Sequence, residues 1–220
     1  APTAVGPRAF TYDANGNQTG WSDSAAGTSR TLAWDHANRV SSVTTGPSTV
    51  EFRYTGDGQR SHKQSSAGTT QYLGGFATVR NGAAVTRHVY LDDQRVASTV
   101  LPDGMAGATQ LHRYYHGDHL QSTQFVTDES GAVTEHVEYF PFGEPWVDES
   151  SAAERVPYRF IATELDPETG LQAMGARYYD PRQSQWVSPD PIVASYLSDR
   201  PVGGVFRPEN LGLYTYSWNQ

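Results

Sequence analysis

The feature that most constrains this chain is how often it is interrupted. Scarcely any stretch of 11 or more residues keeps apolar positions at i, i+3, i+4 and i+7 without Gly or Pro intervening. Long amphipathic helices are therefore excluded. Short alternating runs take their place, among them Thr49-Val50-Glu51-Phe52-Arg53-Tyr54, Thr86-Arg87-His88-Val89-Tyr90 and Val133-Thr134-Glu135-His136-Val137-Glu138-Tyr139. Each sets β-branched or aromatic residues on one face and polar residues on the other. Turn clusters close them, such as Asp13-Ala14-Asn15-Gly16-Asn17, Thr55-Gly56-Asp57-Gly58, Leu91-Asp92-Asp93 and Asp128-Glu129-Ser130-Gly131.

The punctuation is periodic. An aromatic followed closely by acidic and Gly or Asn residues recurs at Tyr12-Asp13, Trp34-Asp35, Tyr54, Tyr90-Leu91-Asp92, Tyr139 and Tyr178-Tyr179-Asp180, at about 20 residues or a small multiple. One unit is one hairpin, and stacked hairpins bury faces that none could bury alone. Such a thin wall accounts for an apolar fraction of only 37% beside 21 glycines and 13 prolines. Each repeated aromatic is expected to pack on the next hairpin with its polar tip on a backbone group or water.

Charge and missing residue types narrow the function. Sixteen basic against 24 acidic residues leave −8, which argues against nucleic-acid binding as the main role. Only Lys63 among the basic residues is lysine, a bias toward arginine read mostly as compositional, with local structural use of its planar donor fork possible. With no cysteine there is no disulfide framework, thiolate zinc site or cysteine nucleophile. No apolar run approaches the roughly 18 residues of a membrane span, and Ala1-Pro2-Thr3 opens no signal peptide. The chain reads as a processed or excised piece of something longer.

Tyr12-Asp13-Ala14-Asn15-Gly16-Asn17 and Trp34-Asp35-His36-Ala37-Asn38-Arg39-Val40 resemble the YD repeats of rearrangement-hotspot (RHS) proteins and of the C component of Tc toxin complexes. Downstream, His116-Gly117-Asp118-His119-Leu120-Gln121-Ser122-Thr123, Tyr139-Phe140-Pro141-Phe142-Gly143-Glu144, Glu164-Leu165-Asp166-Pro167-Glu168-Thr169-Gly170-Leu171, Gly175-Ala176-Arg177-Tyr178-Tyr179-Asp180-Pro181 and Trp186-Val187-Ser188-Pro189-Asp190-Pro191 resemble the RHS repeat-associated core. The resemblance implies an all-β fold, a spiral of antiparallel hairpins forming the wall of a shell. It divides the chain into YD-repeat hairpins over 1–112, the associated core over 113–191, and a loop with a final strand over 192–220. It departs from the family pattern at Gln121, where Gly is usual, at Ser184-Gln185 for Gly-Arg, and at Phe160-Ile161-Ala162 for Phe-Thr-Gly.

The resemblance also implies a role: to enclose a C-terminal toxin and release it by aspartyl autoproteolysis, with Asp190 matching one catalytic aspartate and Arg177 the associated arginine. A second aspartate is expected downstream in a DPxG-type motif. The sequence stops at Gln220 before any such motif, so these 220 residues are expected to be inert as a protease, Asp180 being the local substitute considered. Two carboxylates about 3 Å apart share one proton, so that one acts as acid while the other activates water, which a lone aspartate cannot do. The reading needs no cofactor. Its expected partners are the remainder of the shell and the enclosed toxin, with export by a bacterial delivery system and self-association through exposed strand edges.

Other readings attach to particular residues. Asp190 between two prolines also suits a turn acid, and Arg177 suits pairing with a carboxylate or stacking on Tyr178 or Tyr179. His116, Asp118 and His119 are metal-ligand types, which would make a metal hydrolase, but their spacing in a Gly-containing turn fits a hydrogen-bonded turn before Thr123-Gln124-Phe125-Val126-Thr127 better. Tyr139-Phe140-Pro141-Phe142-Gly143 is expected mainly to pack, with a recognition surface for peptide or sugar as the other reading, and an adhesion or carbohydrate-binding module is the rival function. Asp148 to Glu154 reads as an exposed loop or a short helix capped by Ser150 or Ser151. Leu197 to Glu209 reads as a loop before a strand at Leu213-Tyr214-Thr215-Tyr216.

Overall fold

The computed structural model describes residues 3–102, 109–193, 195 and 207–217. Fifteen strands follow chain order in one antiparallel sheet. They are β1 (Ala4–Val5), β2 (Arg8–Tyr12), β3 (Gln18–Asp23), β4 (Thr28–Trp34), β5 (Val40–Thr45), β6 (Ser48–Tyr54), β7 (Arg60–Ser65) and β8 (Gly68–Leu73). The sheet continues through β9 (Ala77–Arg80), β10 (Ala84–Leu91), β11 (Gln94–Leu101), β12 (Leu111–Gly117), β13 (Thr123–Thr127), β14 (Val133–Tyr139) and β15 (Pro145–Ser150). A second antiparallel sheet follows with β16 (Glu164–Asp166), β17 (Leu171–Met174), β18 (Arg177–Asp180) and β19 (Gln185–Trp186). The expected succession of antiparallel hairpins is therefore the observed architecture. Sheet connectivity runs straight through residue 112, because β11 pairs with β12, and passes to a new sheet only between Ser150 and Glu164. Among the described residues no helix is long and apolar enough to cross a membrane.

Among the described residues one five-residue turn recurs seven times, starting at Asp13, Asp35, Thr55, Asp118, Asp128, Phe140 and Arg159. In each, the first N–H donates to the fifth carbonyl and the fourth N–H to the first carbonyl. The fourth residue is left-handed every time, at Gly16, Asn38, Gly58, Gln121, Gly131, Gly143 and Ala162. Where the turn starts with aspartate, Oδ1 accepts the N–H groups two and four residues on: Asn15 and Asn17 for Asp13, Ala37 and Arg39 for Asp35, Leu120 and Ser122 for Asp118, Ser130 and Ala132 for Asp128. The acid of the repeat is thus a turn clamp, satisfying donors that leave the strand ladder.

The aromatic before the turn does the second job. A bulge displaces it from the ladder, as between Ala33 and Trp34, Arg53 and Tyr54, and Glu138 and Tyr139. Its polar atom then reaches the carbonyl at the start of the previous hairpin's return strand: Trp34 Nε1 to Gln18 at 2.8 Å, Tyr54 Oη to Val40 at 2.7 Å, Tyr139 Oη to Thr123 at 3.0 Å. Turn and tie together make the roughly 20-residue repeat.

The family's glycine is replaced where the backbone is left-handed: φ is +66° at Gln121, +56° at Ala162 and +53° at Ser184, and Ile161, a β-branched residue, is at +45°. A non-glycine residue there costs about 1–2 kcal/mol. Net of glycine's larger chain entropy, Gln121→Gly and Ser184→Gly are each expected to add about 0.5–1 kcal/mol. Urea denaturation of the two variants checks this, and a loss of stability in both would refute the strain.

The core lies between the sheets. Leu32, Val40, Val43, Val50 and Phe52 of β4 to β6 meet Leu171, Tyr178 and Val187 from the region of the small sheet, all with 5% exposure or less. Two expectations are corrected. Asp148 to Ser150 lie in strand β15, paired with β14 because alternation persists through Val147, and only the residues after Ser150 form a loop, opened by the Ala152 N–H bonding Ser150 Oγ. The final strand reduces to a single bridge, Thr215 to Gln185, beside a 3₁₀ turn at Pro208–Leu211. The loop read from Leu197 lies outside the described residues up to 206.

Candidate functional site

Strand β18 carries the expected arginine and ends at the considered substitute acid. Arg177 Nη2 lies 3.5 Å from Asp190 Oδ2, and the guanidinium sits 3.9 Å over the Trp186 ring. The stacking partner is therefore Trp186 of the neighbouring strand rather than Tyr178 or Tyr179, whose side chains are buried in the core. Asp190 also acts as a turn acid, since its Oδ1 accepts the Ile192 N–H at 3.0 Å while its own N–H bonds the Leu213 carbonyl. Pairing and turn roles coexist, one on each carboxylate oxygen.

Local packing explains where this acid sits. The Gln18 N–H bonds the Val187 carbonyl, and Tyr214 Oη donates to the Gly16 carbonyl at 2.6 Å. At Gly16 a Cβ would stand 2.8 Å from that hydroxyl and 3.4 Å from Pro189. Asp190 is thereby placed where the small sheet, the first hairpin turn and the C-terminal segment meet.

Asp180 lies elsewhere in function. Its Oδ2 takes Arg30 Nη1 at 2.6 Å and Gln183 Nε2 at 3.0 Å, and its Oδ1 takes the Arg182 N–H. Oδ2 thus joins the two sheets through Arg30, while Oδ1 clamps the local turn after β18. The acid–arginine pairing there is general: Arg60 meets Asp166 at 2.7 Å and Glu164 at 2.6 Å, and Lys63 Nζ meets Asp166 and Glu168, both at 3.0 Å. Burial opposes the charged forms of Arg60 and Lys63, yet the facing carboxylates outweigh it and raise both above their ordinary values. Burial likewise pushes Glu135 upward against the Val156 N–H and Arg159.

These charges were not legible as a site. Lys63 stands opposite the inward-facing Phe52, and the bias toward arginine left local structural use open without pointing to Arg30, Arg60 or Arg159.

The histidine string is a turn. Asp118 clamps the Leu120 and Ser122 N–H groups, and His116 Nε2 lies 3.0 Å from Thr127 Oγ1. Among the described residues no group of three or more His, Cys, Asp or Glu is placed to hold a metal ion. The Tyr139 to Gly143 string divides. Gly143 packs under the Phe160 ring and the Phe142 carbonyl accepts from Tyr179 Oη, but Phe140 is exposed and stacks on Trp146 with centroids 5.1 Å apart. Packing describes only part of it.

The teneurin YD-shell model matches residues 48–220, and the RHS repeat model matches residues 12–50. The chain belongs to the teneurin YD-shell family. The chain is 27% identical over 201 residues to the tRNA3(Ser)-specific nuclease WapA of Bacillus spizizenii, covering 86% of this chain and 8% of that protein. It is 29% identical over 121 residues to the double-stranded DNA deaminase toxin A of Burkholderia cenocepacia, covering 51% of this chain and 8% of that protein. A solved relative is the Tc holotoxin pore of Photorhabdus luminescens, with a TM-score of 0.67 at 20% identity, covering 97% of this chain and 12% of the solved one. That likeness shows the fold. The YD-shell chain thus spans about a tenth of the length of these relatives, and the Asp13 and Asp35 turns fall within the segment that matches the RHS repeat.

Proposed function

We propose that this chain is a wall segment of an RHS shell that encloses a C-terminal toxin polypeptide, and that Asp190 contributes one carboxylate to the self-cleavage that releases it. The observation carrying this reading is the Arg177–Asp190 pair, held at the meeting point of small sheet, first hairpin and C-terminal segment. The names of the relatives support the scaffold role: a tRNA nuclease and a DNA deaminase toxin share this segment although their chemistries differ. A common segment attached to unlike activities suits a container better than a catalyst.

In the mechanism, Asp190 and a second aspartate share one proton, the ionised member activating water and the protonated one polarising the scissile carbonyl. Arg177, fixed over Trp186, positions Asp190. Export by a bacterial toxin-delivery system, with the rest of the shell and the toxin as partners, belongs to the same reading. In the parent polypeptide extended through the next DPxG motif, Asp190→Asn is expected to slow self-cleavage by about 10³-fold while leaving the melting temperature unchanged. Cleavage at the wild-type rate would overturn the assignment. The rival adhesion reading draws on the exposed Phe140–Trp146 stack, and glycan binding lost in Trp146→Ala would favour it.

A further inference from the structure

Both halves of the Arg177–Asp190 site hang on one short segment. The Asp190 N–H donates to the Leu213 carbonyl at 3.0 Å. The N–H of Trp186, whose ring carries the Arg177 guanidinium, donates to the Tyr214 carbonyl at 3.0 Å. Thr215 bridges to Gln185, and the Tyr216 ring lies 5.0, 5.9 and 6.0 Å from the rings of Tyr179, Trp186 and Phe160. Residues 213–216 are thus a strap laid along β19, the edge of the small sheet.

The carboxylate contacts hold the acid only loosely. Arg177 Nη2 to Asp190 Oδ2 is long at 3.5 Å, where a charge-assisted bond is usually 2.7–2.9 Å. Oδ1 takes the Ile192 N–H, a bond inside the acid's own turn. The Asp190 backbone reaches out of that turn through Leu213, so its place follows the strap.

Tyr214 anchors the strap. Its Oη donates to the Gly16 carbonyl at 2.6 Å across 198 residues, and its ring meets Tyr12 edge-on at 5.8 Å. Burial raises this hydroxyl above its ordinary value, so it keeps its proton and donates at neutral pH. Gly16, left-handed at φ +83°, leaves the room, since a Cβ there would stand 2.8 Å from the hydroxyl. The first hairpin also holds the Val187 carbonyl through the Gln18 N–H. Removing the hydroxyl therefore leaves hairpin and small sheet joined while the strap comes loose.

We propose that Tyr214 is a positioning residue for self-cleavage: anchored on Gly16, it sets the strap that holds Asp190 in place for a second carboxylate. This rests on the self-cleavage reading above. A displacement of 1 Å in a reacting group can cost about 10²-fold, and losing one hydrogen bond loosens the strap without removing it. In the parent polypeptide extended through the next DPxG motif, Tyr214→Phe is expected to slow self-cleavage about tenfold with the circular dichroism unchanged. Gly16→Ala attacks the same bond from the other side and is expected to slow cleavage at least as much. Adding Tyr214→Phe to Gly16→Ala removes the collision and is expected to bring the rate back to that of Tyr214→Phe alone. Wild-type cleavage in Tyr214→Phe, or losses that multiply in the double variant as two unrelated structural defects would, overturn the proposal. Asp190→Asn in the same polypeptide separates the two levels. If it cleaves at the wild-type rate, the self-cleavage reading fails and this role with it; if it stops cleavage while Tyr214→Phe does not slow it, only the role of Tyr214 falls.

Discussion

Arg60→Met is expected to cost about 3–5 kcal/mol, the range for removing one partner of a buried ion pair. Arg60 faces Asp166 and Glu164 at 2.7 and 2.6 Å, donates to Tyr178 Oη at 3.2 Å, and stacks between Phe52 and Tyr72. Removing it leaves Lys63 as the cation facing Asp166 and Glu168 and leaves Glu164 with the Tyr72 hydroxyl, and Asp166 has no solvent exposure. Methionine keeps much of the stem's packing, so the loss reports the charge rather than a cavity. Urea denaturation at pH 7 measures it. The solvent-exposed Arg80–Glu154 pair serves as the control, with Arg80→Met expected to cost about 0.5 kcal/mol or less. Equal losses at Arg60 and Arg80 would mean that water screens the seam, and the ion pairs would lose their role in joining the sheets.

Acid should loosen the wall at a second place. His88 is buried, with Nδ1 2.8 Å from Ser98 Oγ and Nε2 3.0 Å from Tyr158 Oη. Burial first and the Arg95 charge second depress it from 6.5 to about 4. A depressed imidazole binds its proton more readily in the unfolded chain than in the folded one. Its contribution is therefore intact above pH 6.5 and falls away as the pH drops from 6.5 toward 4, amounting to about 3 kcal/mol in all. Stability measured from pH 7 to 4 should show this slope in the wild-type chain and a shallower one in His88→Asn. Parallel slopes would contradict a buried neutral imidazole. Glu135 acts in the opposite sense, because burial raises it, so the comparison between the two proteins carries the result rather than the wild-type curve alone.

Much of the fold was legible because its causes are local. The Asp13, Asp35, Asp118 and Asp128 turns each close within five residues, so a short string of letters contains both partners of every bond. The packing of the tyrosines was legible in kind but not in detail: Tyr54 and Tyr139 do reach backbone carbonyls, yet which carbonyl depends on the bulge that turns each ring toward the preceding hairpin. The candidate acid and arginine were found through motif resemblance. Their contact, and the choice of Trp186 as stacking partner, needed strands β18 and β19 side by side.

From the sequence alone follow the all-β class, the hairpin period and the clamp at each turn that aspartate opens, since backbone donors must be satisfied within a few residues of where they leave the ladder. The tertiary structure decided which charges meet. Arg30 pairs with Asp180 across 150 residues and Lys63 with Asp166 across 103. Alternation can say that a side chain points inward. It cannot say which inward-pointing acid a second sheet, folded back over the first, will bring against it.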